Sequence, residues 1–267
     1  MFSLLANLAL EPSRPPSVLD VAVARGSAGG LAGQDRMNRT ILKSGILFAL
    51  ASVALIASLE AQNFAPAFPR EGSRKVLENS RVIVWDATWP KGKATVLHEH
   101  PVDYLSVTLV EGAVKITGRD GTSSVATAPF GVVRFNTKGV IHAEEGVSDQ
   151  ERRAIMVELK TVPRPAEAAV SRSGFPRNGA TKGLENERVA VLDVTWIQGQ
   201  QIPRRQQGRD AVVVFLEGGV IRQSPEGAAV SDTRWNVGDV LYVPAGTDVP
   251  SEEATEGPPR AVFIELK

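Results

Sequence analysis

LENSRVIVWDATWPKG (77–92) returns 107 residues later as LENERVAVLDVTWIQG (184–199), identical at 10 of 16 positions. The closing residues RAVFIELK (260–267) match RAIMVELK (153–160) at 5 of 8. Residue 77 aligns with 184 and residue 160 with 267, so insertions and deletions inside the copies cancel. A repeat of this length makes each copy one structural unit, 77–160 and 184–267. Between them VPRPAEAAVSRSGFPRNGATKG, within the linker 161–183, is rich in Pro, Gly, Ser and Ala. QNFAPAFPREGSR, in the lead-in 62–76, has a similar composition.

Each copy reads as a series of short strands. Arg81–Trp89 and Tyr104–Val110 are rich in β-branched and aromatic residues. Turn signals part them: Pro90-Lys-Gly92, Glu111-Gly112, Gly118-Arg-Asp-Gly121 and Pro129-Phe-Gly131. No long helical stripe follows the lead-in, so the chain is expected to be all-β, a sandwich or barrel in each copy. A copy this short buries little surface alone, and packing two barrels together would help.

Composition narrows the function. Thirty basic and thirty acidic residues cancel, which gives no field to recruit nucleic acid. Apolar content of 43% is that of an ordinary globular protein. Without cysteine there are no disulfides, thiolate metal sites or cysteine nucleophiles. No Gly-x-Ser-x-Gly elbow occurs either.

Gly45–Leu59 is an uncharged apolar run, preceded by Arg39 and Lys43 and followed by Glu60-Ala61. This reads as a secretory signal over 37–61, short for a permanent membrane span, with an uncleaved anchor as the alternative. The expected location is periplasmic or secreted. Met37 opens a complete signal by itself, so residues 1–36 read as a non-native or disordered extension.

All three histidines fall in the first copy. His98 and His100 stand in Gly92-x5-His98-x-His100, and His142 in Gly131-x5-Thr137-x-Gly139-x2-His142. On a strand, His98 and His100 point the same way. A third imidazole from a distant strand completes a three-nitrogen face for a divalent metal.

This motif pair resembles that of the cupins, and the likeness covers nearly the whole chain after the signal. Gly112 closes the first motif, and Thr137 stands where the family has proline. The resemblance implies two tandem double-stranded β-helix (jelly-roll) barrels, a bicupin. In the second copy Gly238, Pro244 and Gly246 persist, but Arg205, Gln207 and Val249 replace the histidines. Arginine cannot donate a lone pair to a metal, so the second barrel is expected to be metal-free. Arg204, Arg205 and Arg209 would line an anion pocket, a solvated rim or a barrel interface.

The acidic ligand usual in the family's first motif is missing. Tyr104, at inner-face parity, is a candidate inner-shell donor or else a core aromatic. Glu144 and Glu145 are candidates to orient the His142 ring or act as a base, with Glu145 taken as the catalytic one, or else belong to a solvated turn. Trp89/Trp196, Asp86/Asp193 and Thr88/Thr195 recur in both copies, so packing explains them. The expected cofactor is one Fe, Mn, Zn or Ni ion, the partner a small-molecule substrate, and the assembly a homodimer by resemblance. The family points to a dioxygenase-like metalloenzyme; the other reading is a non-catalytic binding or structural bicupin.

Overall fold

The computed structural model describes residues 63–161 and 179–267. The extension, the signal segment and most of the linker lie outside the described residues. Among those described, every regular element is a strand, and no helix is long and apolar enough to cross a membrane.

The first copy supplies β1 (Ala65–Pro66), β2 (Ser73–Glu78), β3 (Val82–Trp89), β4 (His98–Glu99) and β5 (Tyr104–Val110). It continues with β6 (Ala113–Gly118), β7 (Ser123–Thr127), β8 (Val133–Asn136), β9 (Ile141–Gly146) and β10 (Arg152–Leu159). The second copy begins with β11 (Ala180–Glu185), β12 (Val189–Thr195), β13 (Arg205–Gln206), β14 (Ala211–Glu217) and β15 (Gly219–Ser224). It ends with β16 (Ser231–Trp235), β17 (Val240–Val243), β18 (Asp248–Val249), β19 (Ser251–Glu256) and β20 (Arg260–Leu266). Strands start earlier than the matched segments, because Ser73–Glu78 and Ala180–Glu185 form the outer strands beside β3 and β12.

Each copy is a jelly-roll barrel. In the first, sheet β2-β3-β10-β5-β8 faces sheet β1-β4-β9-β6-β7. In the second, β11-β12-β20-β14-β17 repeats the former, and the latter divides into β16-β15-β19 and β13-β18.

The sequence of β5, YLSVTLV, has six buried residues in a row, as does AVVVFLE in β14. Both faces of these strands are covered, which removes the usual apolar–polar alternation. One face lines its own barrel. The other joins a single core shared by the barrels, in which Val84, Leu105, Val107 and Ile155 pack with Val191, Val212, Leu216 and Ile264. Burying such a side chain stabilises by about 1.5–3 kcal/mol, so this joint is a principal source of stability.

The contact is isologous within one chain. Arg81 Nη1 stands 3.5 Å from Asp210, and Arg188 Nη1 3.0 Å from Asp103. Arg81 also donates to the Lys267 carbonyl, as Arg188 does to that of Lys160. Gly131 and Gly238 have φ of +76° and +87°, a region that disfavours any side chain. Each also abuts the opposite barrel: a Cβ at Gly131 would lie 3.3 Å from Leu216, and one at Gly238 2.9 Å from Leu109.

Candidate metal centre

β4 and β9 run antiparallel, with His98 directly opposite His142. Directly paired residues project to the same face, so both rings enter the first barrel. His100 follows two residues along, where its N–H meets the Val140 carbonyl and its C=O takes the Gly139 N–H. The three histidines are 2%, 2% and 7% exposed.

Their nitrogens converge. His100 Nε2 and His142 Nε2 lie 3.3 Å apart, and one ligand atom from each ring fits within 4.8 Å of the others. Two nitrogens each about 2.0–2.1 Å from one ion would stand roughly 3.0–3.4 Å apart, which matches the His100–His142 pair. The His98 Nδ1 lies 3.0 Å from the Val96 carbonyl, to which it can only donate, leaving Nε2 as the lone-pair nitrogen. Burial lowers the pKa of His98 against the Val96 hydrogen bond. Burial, then the neighbouring His142 and His98, push His100 down to about 3. At neutral pH both rings therefore keep a lone pair for a metal. The donor set fits a divalent ion, and imidazole suits zinc, iron and nickel.

Tyr104 lies flat on His100, ring centroids 3.9 Å apart at 15°. It is buried, and burial then the Glu144 carboxylate raise the phenol above its ordinary value. Of the two glutamates, the structure brings Glu144 to the imidazoles, not Glu145. Glu144 Oε1 is 3.7 Å from His142 Nε2, and its Oε2 accepts the Trp89 Nε1–H at 2.8 Å. Glu145 projects from the other face of β9, with its carboxylate 3.7 Å from Lys115 Nζ. Parity decides this: Glu144 is two residues from His142 and shares its face.

Trp89 recurs in the second barrel as Trp196, which donates to Glu252 at 3.3 Å. Packing was the expected role for both, and each also orients a carboxylate. Asp86 and Asp193 make paired bonds to Arg153 and Arg260 on the neighbouring strand.

Three further residues were not anticipated. Phe68 stacks on Trp85 and meets the His100 ring edge-on at 6.3 Å. Arg70 lies over the Trp89 ring at 4.8 Å, with one buried Nη2 that no acceptor meets. Arg152 lies over the same ring at 5.1 Å, and its buried Nε is also unmet. Phe68 and Arg70 belong to a Pro-rich lead-in that gives no periodic signal. Arg152 differs from its ion-paired neighbour Arg153 only in strand parity.

The second barrel keeps the backbone of this site without its chemistry. Arg205 pairs with Val249 as His98 does with His142, and Gln207 repeats the backbone bonds of His100. Arg205 is bonded to Glu252 at 3.0 Å, and Gln207 Nε2 to the Arg209 carbonyl. The arginines are not a common pocket: Arg204 is exposed on Asp248 and Glu226, and Arg209 faces Glu265.

No family model and no curated protein matches the chain. Solved structures do. AerE from Microcystis aeruginosa is 12% identical, over 76% of this chain and 99% of that one, with a TM-score of 0.52. That share exceeds what either barrel alone can supply, and the likeness is one of fold. A Cupin 2 conserved barrel domain protein from Leptotrichia buccalis is 15% identical over 73% of this chain and 88% of its own, TM-score 0.48. The oxalate decarboxylase of Bacillus subtilis, which has Mn(II) centres, is 11% identical over 75% and 76%, TM-score 0.48.

Proposed function

We propose that the first barrel binds one divalent metal ion through His98, His100 and His142, and that the protein is an exported small-molecule metalloenzyme of the bicupin type. The observation that carries this reading is the convergence of three buried imidazoles, two of them with nitrogens 3.3 Å apart. A metal held there would supply a Lewis acid with open positions for a substrate oxygen.

The surrounding side chains have distinct tasks. The Val96 carbonyl fixes the His98 tautomer, and Tyr104 fixes the ring plane of His100. Glu144, held by the Trp89 N–H, stands where it can take or return a substrate proton. Arg70 and Arg152 offer buried N–H groups near Glu144 and favour a substrate with anionic oxygen. The resemblance to three-histidine cupins makes dioxygenase-like oxidation the leading chemistry, with Fe, Mn, Zn or Ni as the ion. The apolar run Gly45–Leu59 behind Arg39 and Lys43 supports export to the periplasm or beyond.

One observation favours a second reading, a non-catalytic bicupin with a structural metal. Glu144 Oε1, 3.7 Å from His142 Nε2, is close enough to close the coordination as a fourth protein ligand. X-ray absorption on protein purified without an affinity tag separates the two. Three nitrogens plus water favour catalysis, and a closed set with a carboxylate favours structure. Dioxygen uptake by the Fe(II)-loaded protein against phenols, thiols and diketones then tests the oxidation.

A further inference from the structure

The interior of the second barrel holds a cavity of about 430 Å³. This is the size of a small-molecule site, for which roughly 300–1,000 Å³ is usual. It lies where the metal centre lies in the first barrel, since Arg205 and Val249, the counterparts of His98 and His142, are part of its wall.

The wall has two chemistries. One part is aromatic: Phe215 is stacked with Trp235, at 4.2 Å and 8°, and with Trp196, at 5.8 Å and 19°, and Phe263 lies against Trp196. Flat, rigid ring surfaces of this kind favour an aromatic occupant. The other part is a polar cluster centred on Glu252. It accepts from Arg205 at 3.0 Å, Trp196 at 3.3 Å and Gln223 at 3.4 Å. The Arg205 guanidinium is thereby matched in charge, yet its Nε is buried without an acceptor. A buried donor without a partner bears its desolvation cost uncompensated.

We propose that the second barrel is a separate ligand site for a small uncharged aromatic molecule carrying one carbonyl or hydroxyl oxygen, which accepts from Arg205 Nε while the ring packs on the aromatic wall. Net charge on the ligand is disfavoured from both sides. A carboxylate would meet Glu252 as a second anion, and an ammonium would meet Arg205. The metal of the first barrel has no part in this binding.

Calorimetric titration of the metal-stripped full chain with benzamide, benzoate and benzylammonium tests this. Benzamide should bind saturably at one site per chain, equally in wild type and H142A, with the two ions at least about tenfold weaker. Leu241 and Thr233 line the cavity, the former 38% exposed. Leu241→Trp or Thr233→Trp should fill it and weaken benzamide by about tenfold or more. Arg205→Lys keeps a cation for Glu252 but removes Nε, and should weaken benzamide roughly three- to tenfold. Absence of saturable benzamide binding, or benzamide binding that survives a folded L241W or T233W, overturns the site. Tighter binding of benzoate than of benzamide overturns the ligand class.

Discussion

Arg81 reaches across the barrel joint to Asp210, and the same contact is made in reverse by Arg188 and Asp103, each residue displaced by 107. The two barrels therefore meet as a pseudo-symmetric pair. Partly exposed ion pairs of this kind are worth about 0–1 kcal/mol each, so they set the orientation of the joint and the apolar core beneath supplies its strength.

A shared core predicts shared unfolding. Leu109 and Leu216 occupy equivalent buried positions in the joint, and either change to Ala should cost about 2–5 kcal/mol. Trp85 and Trp89 report on one barrel, Trp196 and Trp235 on the other. Fluorescence of variants retaining one set or the other should give a single urea midpoint, and two separated midpoints would refute the common core.

Gly238→Ala is expected to be more damaging than Gly131→Ala. At Gly238 a Cβ would lie 2.8 Å from Arg153 Nη2 and 2.9 Å from Leu109, whereas at Gly131 the nearest atom is 3.3 Å away. Strained φ adds to both, for a total near 1–3 kcal/mol at Gly238, about as much as a strained backbone site costs. Thermal melting of the two variants side by side checks the order.

Replacing His142 with Ala should abolish stoichiometric metal while leaving the second barrel folded. Elemental analysis with the unfolding curve reads both. Unchanged metal content in H142A would disprove the centre.

Glu144→Gln and Glu145→Gln should behave differently although the residues are neighbours. Glu144 touches the imidazole group through His142, and loss of its charge should weaken metal binding by about 10–100-fold. Glu145 faces Lys115, and its change should leave affinity within error. A competition titration with a chelator compares them. Equal effects would remove Glu144 from the centre.

Asp86 supplies a pH dependence. Burial alone would raise its pKa, but the hydrogen bonds and charge of Arg153, then of Arg74, bring it below the ordinary aspartate value. A carboxylate whose folded pKa is depressed adds stability above its unfolded pKa and loses it as pH falls through the folded one. Asp86→Asn should therefore cost about 1–2 kcal/mol at neutral pH. The gap to wild type should close below the normal aspartate range, as measured by urea unfolding across pH. A gap that widens in acid would contradict the assignment.

The barrels and the histidine slots were legible because duplication separates two demands on the sequence. Turn and packing residues recur in both copies, and ligand residues do not. Glu144, not Glu145, shares the face of His142, and counting in twos along β9 gives the same residue. The stretch IHAEEG has no apolar alternation to announce its inner face. The packing of Phe68 on Trp85 and of Arg70 over Trp89 was hidden for another reason. It is assembled by a parallel pairing of Ala65-Pro66 with His98-Glu99, a long-range contact that a Pro-rich stretch does not advertise. The cavity of the second barrel is a matter of volume, which no spacing of residues records.

Joining two like halves through a self-complementary face changes what each half is free to become. Were identical subunits to meet this way, a mutation would strike both centres at once, and losing one imidazole would empty the assembly of metal. Tethered in a single polypeptide, one half can surrender its imidazoles to an arginine, a glutamine and a valine and still be held in shape by a sibling that kept them.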